Sequence, residues 1–93
     1  MTEKIRKEIK ISGRVQGVGF RAFTRRSAQK NSVTGWVKNL FDGRVQAVLE
    51  GEADQVGLVI EKLRQGPSFA RVSEIEIKDL DYTGEFDRFN IRY

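Results

Sequence analysis

The sequence predicts an α+β domain in which an antiparallel sheet is covered on one face by two helices, and three observations carry that expectation. Ninety-three residues allow one domain with a single modest core. Five stretches alternate polar and apolar residues as strands do, and two stretches between them carry helical spacing instead. The resulting order, βαββαβ with an extra C-terminal strand, fits a ferredoxin-like sandwich.

Each element follows from its own residues. Residues 7–12 alternate, with Ile9 and Ile11 on one side, as a half-buried strand does. Residues 21–31 hold no Gly or Pro, and together with Phe20 they set Phe23 and Ala28 on one broad helical face. Residues 33–40 read as a second strand. Phe41-Asp42-Gly43 then reads as a tight turn, and residues 44–50 as a third strand with Val45, Ala47 and Leu49 on one face, so the pair predicts a hairpin. After Gly51-Glu52-Ala53 breaks the alternation, residues 54–65 place Val56, Val59, Ile60 and Leu63 at i, i+3, i+4 and i+7. This is a core-facing helix, stopped by Gly66-Pro67. Residues 72–80 alternate around Ile75 and Ile77, and residues 86–93 give a last strand with Phe89, Ile91 and Tyr93 on one side.

The join between the first strand and the first helix carries the chemistry. Gly13-Arg14-Val15-Gln16-Gly17-Val18-Gly19-Phe20 runs straight into Arg21, a glycine-rich turn that feeds a helix with a guanidinium at its mouth. At a helix start the first N–H groups have no intrahelical partner and the macrodipole is positive, so both favour an anion. Gly17 and Gly19 can take conformations that side chains resist, which lets the backbone curl around that anion. Arg21 adds a permanently charged planar fork suited to two phosphate oxygens. These features predict a receptor for a phosphate-sized anion, against the plainer reading of a turn that merely joins strand to helix. A Walker loop would need Gly-Lys-Ser/Thr where Gly-Phe-Arg stands, and no Gly-x-Gly-x-x-Gly occurs.

Two further positions bear on that receptor. Val37 and Asn39 lie two apart and share a strand face, so with Val37 toward the core Asn39 emerges near the turn. Taken alone, Asn39 reads equally as a strand-end asparagine serving its turn. Trp36 falls on the opposite side as a core residue or surface anchor, and Arg14 and Lys38 read as solvated charges near the site.

Gly13 to Arg21, followed by Gly35-Trp36-Val37-Lys38-Asn39 and by Asp42-Gly43 before a strand, resembles the acylphosphatase family essentially from end to end. The resemblance implies that Arg21 binds a phosphoryl group and that Asn39 positions the attacking water. It also implies that Val15, Gln16, Gly17, Val18, Gly19 and Phe20 join Arg21 in holding the substrate. One departure is Phe41, where many members with the neighbouring Asn-Leu and Asp-Gly have proline. The implied reaction is hydrolysis of an acyl phosphate to a carboxylate and phosphate.

The residue inventory agrees. The chain has no cysteine and no histidine, which excludes disulfides, thiolate nucleophiles, imidazole bases and metal sites built on either residue. A phosphate monoester needs help for its leaving group, but a carboxylate leaves without protonation. Holding the phosphoryl oxygens, stabilising charge and aiming water then suffice. Arg21 and the turn amides can do the first two, the Asn39 amide can orient water, and a substrate phosphate oxygen is left to take the proton. Neither a cofactor nor a metal is expected.

Charge is uneven. Residues 1–44 hold eleven Lys/Arg against three Asp/Glu, and residues 45–93 hold six against ten. A basic half that contains the anion receptor can draw in a multiply charged substrate, or it can attract nucleic acid. The alternative function is therefore a noncatalytic nucleic-acid-binding or regulatory module, but Gly17-Val18-Gly19-Phe20 lies in a turn rather than on an RNA-binding central strand. Asp79-Leu80-Asp81-Tyr82-Thr83 spells the nucleophile motif of haloacid-dehalogenase-type phosphatases without room for the rest of that fold, and reads as surface. With no signal peptide or apolar span in view, the expectation is a cytoplasmic monomer acting on a small acyl phosphate, without membrane or nucleic-acid partners.

Overall fold

Among residues 3–93, which the computed structural model describes, the chain forms β1 (Lys4–Arg14), α1 (Phe20–Lys30), β2 (Thr34–Asn39), β3 (Val45–Glu52), α2 (Ala53–Gln65), β4 (Arg71–Leu80) and β5 (Phe89–Ile91). The strands make one sheet in the order β4-β1-β3-β2-β5. β1 runs antiparallel to β3 and β4, and β2 antiparallel to β3, as a hairpin requires.

Alternation decides which face is buried. Ile9 and Ile11 of β1, Val37 of β2, Val45, Ala47 and Leu49 of β3, and Phe89 of β5 join Phe20 and Ala28 of α1 and Val56, Val59, Ile60 and Leu63 of α2 in one apolar cluster. Burying a side chain of this kind contributes roughly 1.5–3 kcal/mol before chain entropy is counted. The i, i+3, i+4, i+7 stripe of α2 is therefore core, as its spacing predicts.

The last strand differs from expectation in two ways. β5 spans three residues rather than residues 86–93, and it pairs parallel to β2, with Gly35 opposite Phe89 and Val37 opposite Ile91, so the sheet is mixed rather than antiparallel. The cause is topological. β4 lies at one edge of the sheet and β5 at the other, so the connection between them must cross the face that the helices leave open. A parallel partner always needs such a crossover.

That crossing strap is fastened by a buried carboxylate. Glu50, 1% exposed, lies opposite Arg6 on the strap side of the sheet. It accepts the N–H groups of Thr83 (2.9 Å) and Gly84 (3.2 Å), the Thr83 hydroxyl (3.1 Å) and the Arg6 guanidinium (3.2 Å). Arg6 reaches on to Glu85 at 2.6 Å and covers the Phe86 ring at 5.1 Å. A carboxylate taken out of water is tolerated when its lone pairs are satisfied in this way. Phe86 to Arg88 therefore belong to the strap, and pairing resumes where Gly35 N–H meets the Arg88 carbonyl at 3.1 Å.

Candidate active site

The turn after β1 is shaped by what its residues bury. Val15 and Phe20 are 1% and 2% exposed and pin the two ends of the turn to the core, with Val18 packed at its margin. Gly17 (φ 74) and Gly19 (φ 78) take left-handed conformations between these anchors. A Cβ at either position would meet nothing within 4 Å, so backbone conformation rather than space demands glycine there. Gly19 is the N-cap of α1. No side chain caps the helix and no acid lies in its first turn, which leaves its leading N–H groups without a protein partner.

This helix start opens onto a cleft of about 190 Å³ lined by Val15, Gly17, Gly19, Phe20, Arg21, Ala22, Asn39, Ile91 and Tyr93. No carboxylate is among them. None of the ion pairs among the described residues includes Arg21, so its charge is not neutralised by the protein. Instead its guanidinium lies 4.7 Å from the centre of the Tyr93 ring, a cation–π contact that steadies the side chain and leaves its N–H edges for an anion. Asn39 closes β2 and arrives by strand parity: Val37 is fully buried, and Asn39 enters the cleft from the same face. Its side-chain amide makes no hydrogen bond to another described residue.

Gln16 points elsewhere. Its amide nitrogen donates to the Leu40 carbonyl (2.7 Å) and to the Arg44 carbonyl (2.9 Å), the two ends of the β2–β3 turn. The Arg44 carbonyl also accepts Leu40 N–H at 2.8 Å, so Gln16 extends the hairpin's closing bond to the glycine-rich turn. The turn itself is held by Asp42, which accepts Arg44 N–H (3.1 Å) and Nε–H (2.9 Å). That guanidinium keeps the Asp42 carboxyl below its ordinary value of 3.8. Phe41 stands fully in solvent at the tip, so this ion-paired turn is braced without a proline.

Of the eight residues named from sequence, Val15, Gly17, Gly19, Phe20, Arg21 and Asn39 meet in one cleft, and Gln16 and Val18 lie behind it as support. Ala22, Ile91 and Tyr93 were not named. Ile91 and Tyr93 share the alternation of Phe89, so the signal was present, but only the parallel pairing with β2 brings them to Asn39. Trp36 lies on the other face beneath Arg92 (4.7 Å) and Lys38 (5.6 Å). Asp79 is ion-paired to Lys7, Thr83 serves the Glu50 clasp, and neither they nor Asp81 line the cleft.

Comparison with known proteins agrees with this geometry. The family model Acylphosphatase matches residues 7–91. An acylphosphatase of Syntrophobacter fumaroxidans is 48% identical over 98% of this chain and 94% of its own length. The crystal structure of acylphosphatase from Bacillus subtilis superposes with a TM-score of 0.92 at 37% identity, covering 96% of this chain and 99% of that one. Full-length HypF, in a phosphate- and nucleotide-bound form, matches at 28% identity and a TM-score of 0.87, covering all of this chain and 12% of its own. The fold, the paired motifs and these relatives lead to one conclusion: the chain belongs to the acylphosphatase family and is an enzyme that hydrolyses acyl phosphates.

Proposed function

We propose that hydrolysis of the carboxyl–phosphate bond proceeds here without a metal, with Arg21 and the amides of the glycine-rich turn holding the phosphoryl group and Asn39 aiming the water. One observation carries this reading: an uncapped helix start, together with an arginine and an asparagine amide that have no acidic or hydrogen-bonding partner among the described residues, shares one small cleft. The N–H groups and guanidinium meet the phosphoryl oxygens and stabilise the charge that develops on them, in a site that needs little reorganisation. Asn39 can accept from a water through its amide oxygen and hold it in line, which replaces chance collision with a fixed approach. No side chain in the cleft is an effective base at neutral pH. The water's proton therefore passes to a phosphoryl oxygen while the carboxylate leaves unprotonated.

A metal has no evident seat, since no group of three or more candidate ligands occurs among the described residues. The same reading takes residues 1–93 as one domain acting as a cytoplasmic monomer, with no nucleic-acid partner; one apolar cluster shared by both helices and the sheet supports the single domain. The test compares benzoyl phosphate with an aryl phosphate ester in the presence and absence of EDTA. Faster phosphate release from benzoyl phosphate, unaffected by EDTA, is expected. Loss of activity on chelation, restored by a divalent ion, would overturn the mechanism.

A further inference from the structure

A second concavity lies between the two helices, apart from the catalytic cleft. Its volume is about 510 Å³, within the range of small-molecule sites, and it is lined by Phe23, Arg26, Ser27, Lys30 and Asn31 of α1 and its C-cap, and by Leu58 and Lys62 of α2. It shares no lining residue with the catalytic cleft. On α1, Phe23, Arg26, Ser27 and Lys30 fall at i, i+3, i+4 and i+7, a single stripe; on α2, Leu58 and Lys62 are four apart and face it.

The composition of this groove is unusual for a solvated helix face. Its floor is apolar, and Leu58 remains 54% exposed although a neighbouring core is available. Its rim is purely basic. α1 contains no acid at all, Glu61 of α2 pairs with Arg64, and no ion pair among the described residues includes Arg26, Lys30 or Lys62. Like charges four apart on a helix, as Arg26 and Lys30 are, oppose the fold, and a third cation across the groove adds to the same field. The Ser27 hydroxyl is buried beneath the groove wall without a hydrogen-bond partner, whereas Thr24, one turn earlier, bonds the Phe20 carbonyl at 2.8 Å. Buried hydroxyls are rarely left unpaired.

Three cations and an apolar floor define one class of ligand, a small anion with a hydrophobic body. We propose that this groove binds a soluble carboxylate bearing an aliphatic or aryl tail, with its head among Arg26, Lys30 and Lys62 and its tail on Phe23 and Leu58. The choice of a carboxylate head rests on the reaction, which releases one at each turnover; binding itself does not require turnover, so the two ideas fail separately.

The test is a titration of the protein with sodium decanoate below its micelle concentration, followed by amide NMR, with saturating inorganic phosphate present to occupy the catalytic cleft. Shifts confined to Phe23–Asn31 and Leu58–Lys62 are expected. The double variant Lys30→Glu/Lys62→Glu should weaken decanoate at least tenfold, and Leu58→Ser, at an exposed position where folding is not at stake, should weaken it several-fold. Decyltrimethylammonium, with the same tail and opposite charge, should not bind. Equal binding of that cation, shifts that vanish when phosphate fills the cleft, or an affinity untouched by both variants would each overturn the proposal. Preference for an oligonucleotide or for anionic vesicles over decanoate at these same residues would overturn it as well.

Discussion

At Asn39 the side-chain amide has no hydrogen-bond partner among the described residues to lose, so its removal reports on chemistry with little structural noise. Asn39→Ala should lower kcat by ~100-fold to 1000-fold, as expected for one transition-state hydrogen bond in a preorganised site, while the inhibition constant of inorganic phosphate stays largely unchanged. Arg21→Gln should do the opposite on the second measure, weakening phosphate and the chemical step together, because a neutral amide supplies neither the charge nor the fork. Asp81→Asn is the control, with near wild-type kinetics. If Asn39→Ala lost phosphate affinity instead of turnover, the division of labour would be wrong. Gln16 works one step back. Gln16→Met keeps the length but deletes both donors, so the Leu40 and Arg44 carbonyls lose a neighbour that joins the hairpin to the cradle. Stability should fall by roughly 1–3 kcal/mol. In kinetics kcat should fall more than phosphate affinity, since the hairpin carries Asn39, the residue proposed to aim the water, and the cradle remains on α1.

The strap between β4 and β5 is the element on which cleft assembly depends most. Glu50→Ala would leave Thr83 N–H, Gly84 N–H and Arg6 without their shared acceptor under the strap. A cost of about 3–5 kcal/mol is expected for one half of a buried pair, read as a lower urea midpoint, with loss of activity ahead of global unfolding as β5 detaches. Glu85 adds a pH dependence at the strap's surface. Its hydrogen bond to Arg6, and then that to Thr83, hold its carboxyl below the ordinary 4.5. A carboxyl depressed in the folded state stabilises the fold above its unfolded value and stops doing so as pH falls through the folded one. Acid melting curves should therefore be slightly shallower for Glu85→Gln than for wild type, a small effect because the group is solvent-screened. The same element marks the limit of the sequence. Glycines, Arg21 and the α1 stripe were legible because a helix start is decided by near neighbours, and Val37–Asn39 parity because a strand has a fixed period. The mixed sheet, the Glu50 clasp and Tyr93 beside Arg21 were not, because each depends on residues some thirty to eighty positions apart meeting across a crossover. Residues 86–88 alternate well enough to pass for strand, and only the path over the sheet turns them into strap.

For the molecule as a whole, charge is segregated along the chain, and seven of the nine residues lining the cleft belong to the cationic part. Association with a multiply charged acyl phosphate should be steered by that field and slowed as salt screens it, since the Debye length shortens from ~30 Å at 0.01 M to ~10 Å at 0.1 M. The expected signature is a kcat/KM that falls several-fold over that range while kcat holds. A salt-independent kcat/KM would confine the electrostatics to Arg21 and the turn.

The uncapped start of α1 has a consequence for the lifetime of the protein. Helices of this kind are ordinarily finished by a serine, threonine or aspartate, a feature worth roughly 1 kcal/mol, and under the proposed mechanism the phosphoryl group of a bound molecule would take that part. Substrate and phosphate are then folding cofactors as well as reactants. Phosphate at a hundred times its dissociation constant should stabilise the native state by ~2.7 kcal/mol, visible as a raised melting temperature that Arg21→Gln abolishes. On that reading the phosphate-free protein is the form most exposed to unfolding and proteolysis, and phosphate supply would set how long the enzyme persists as well as how fast it works.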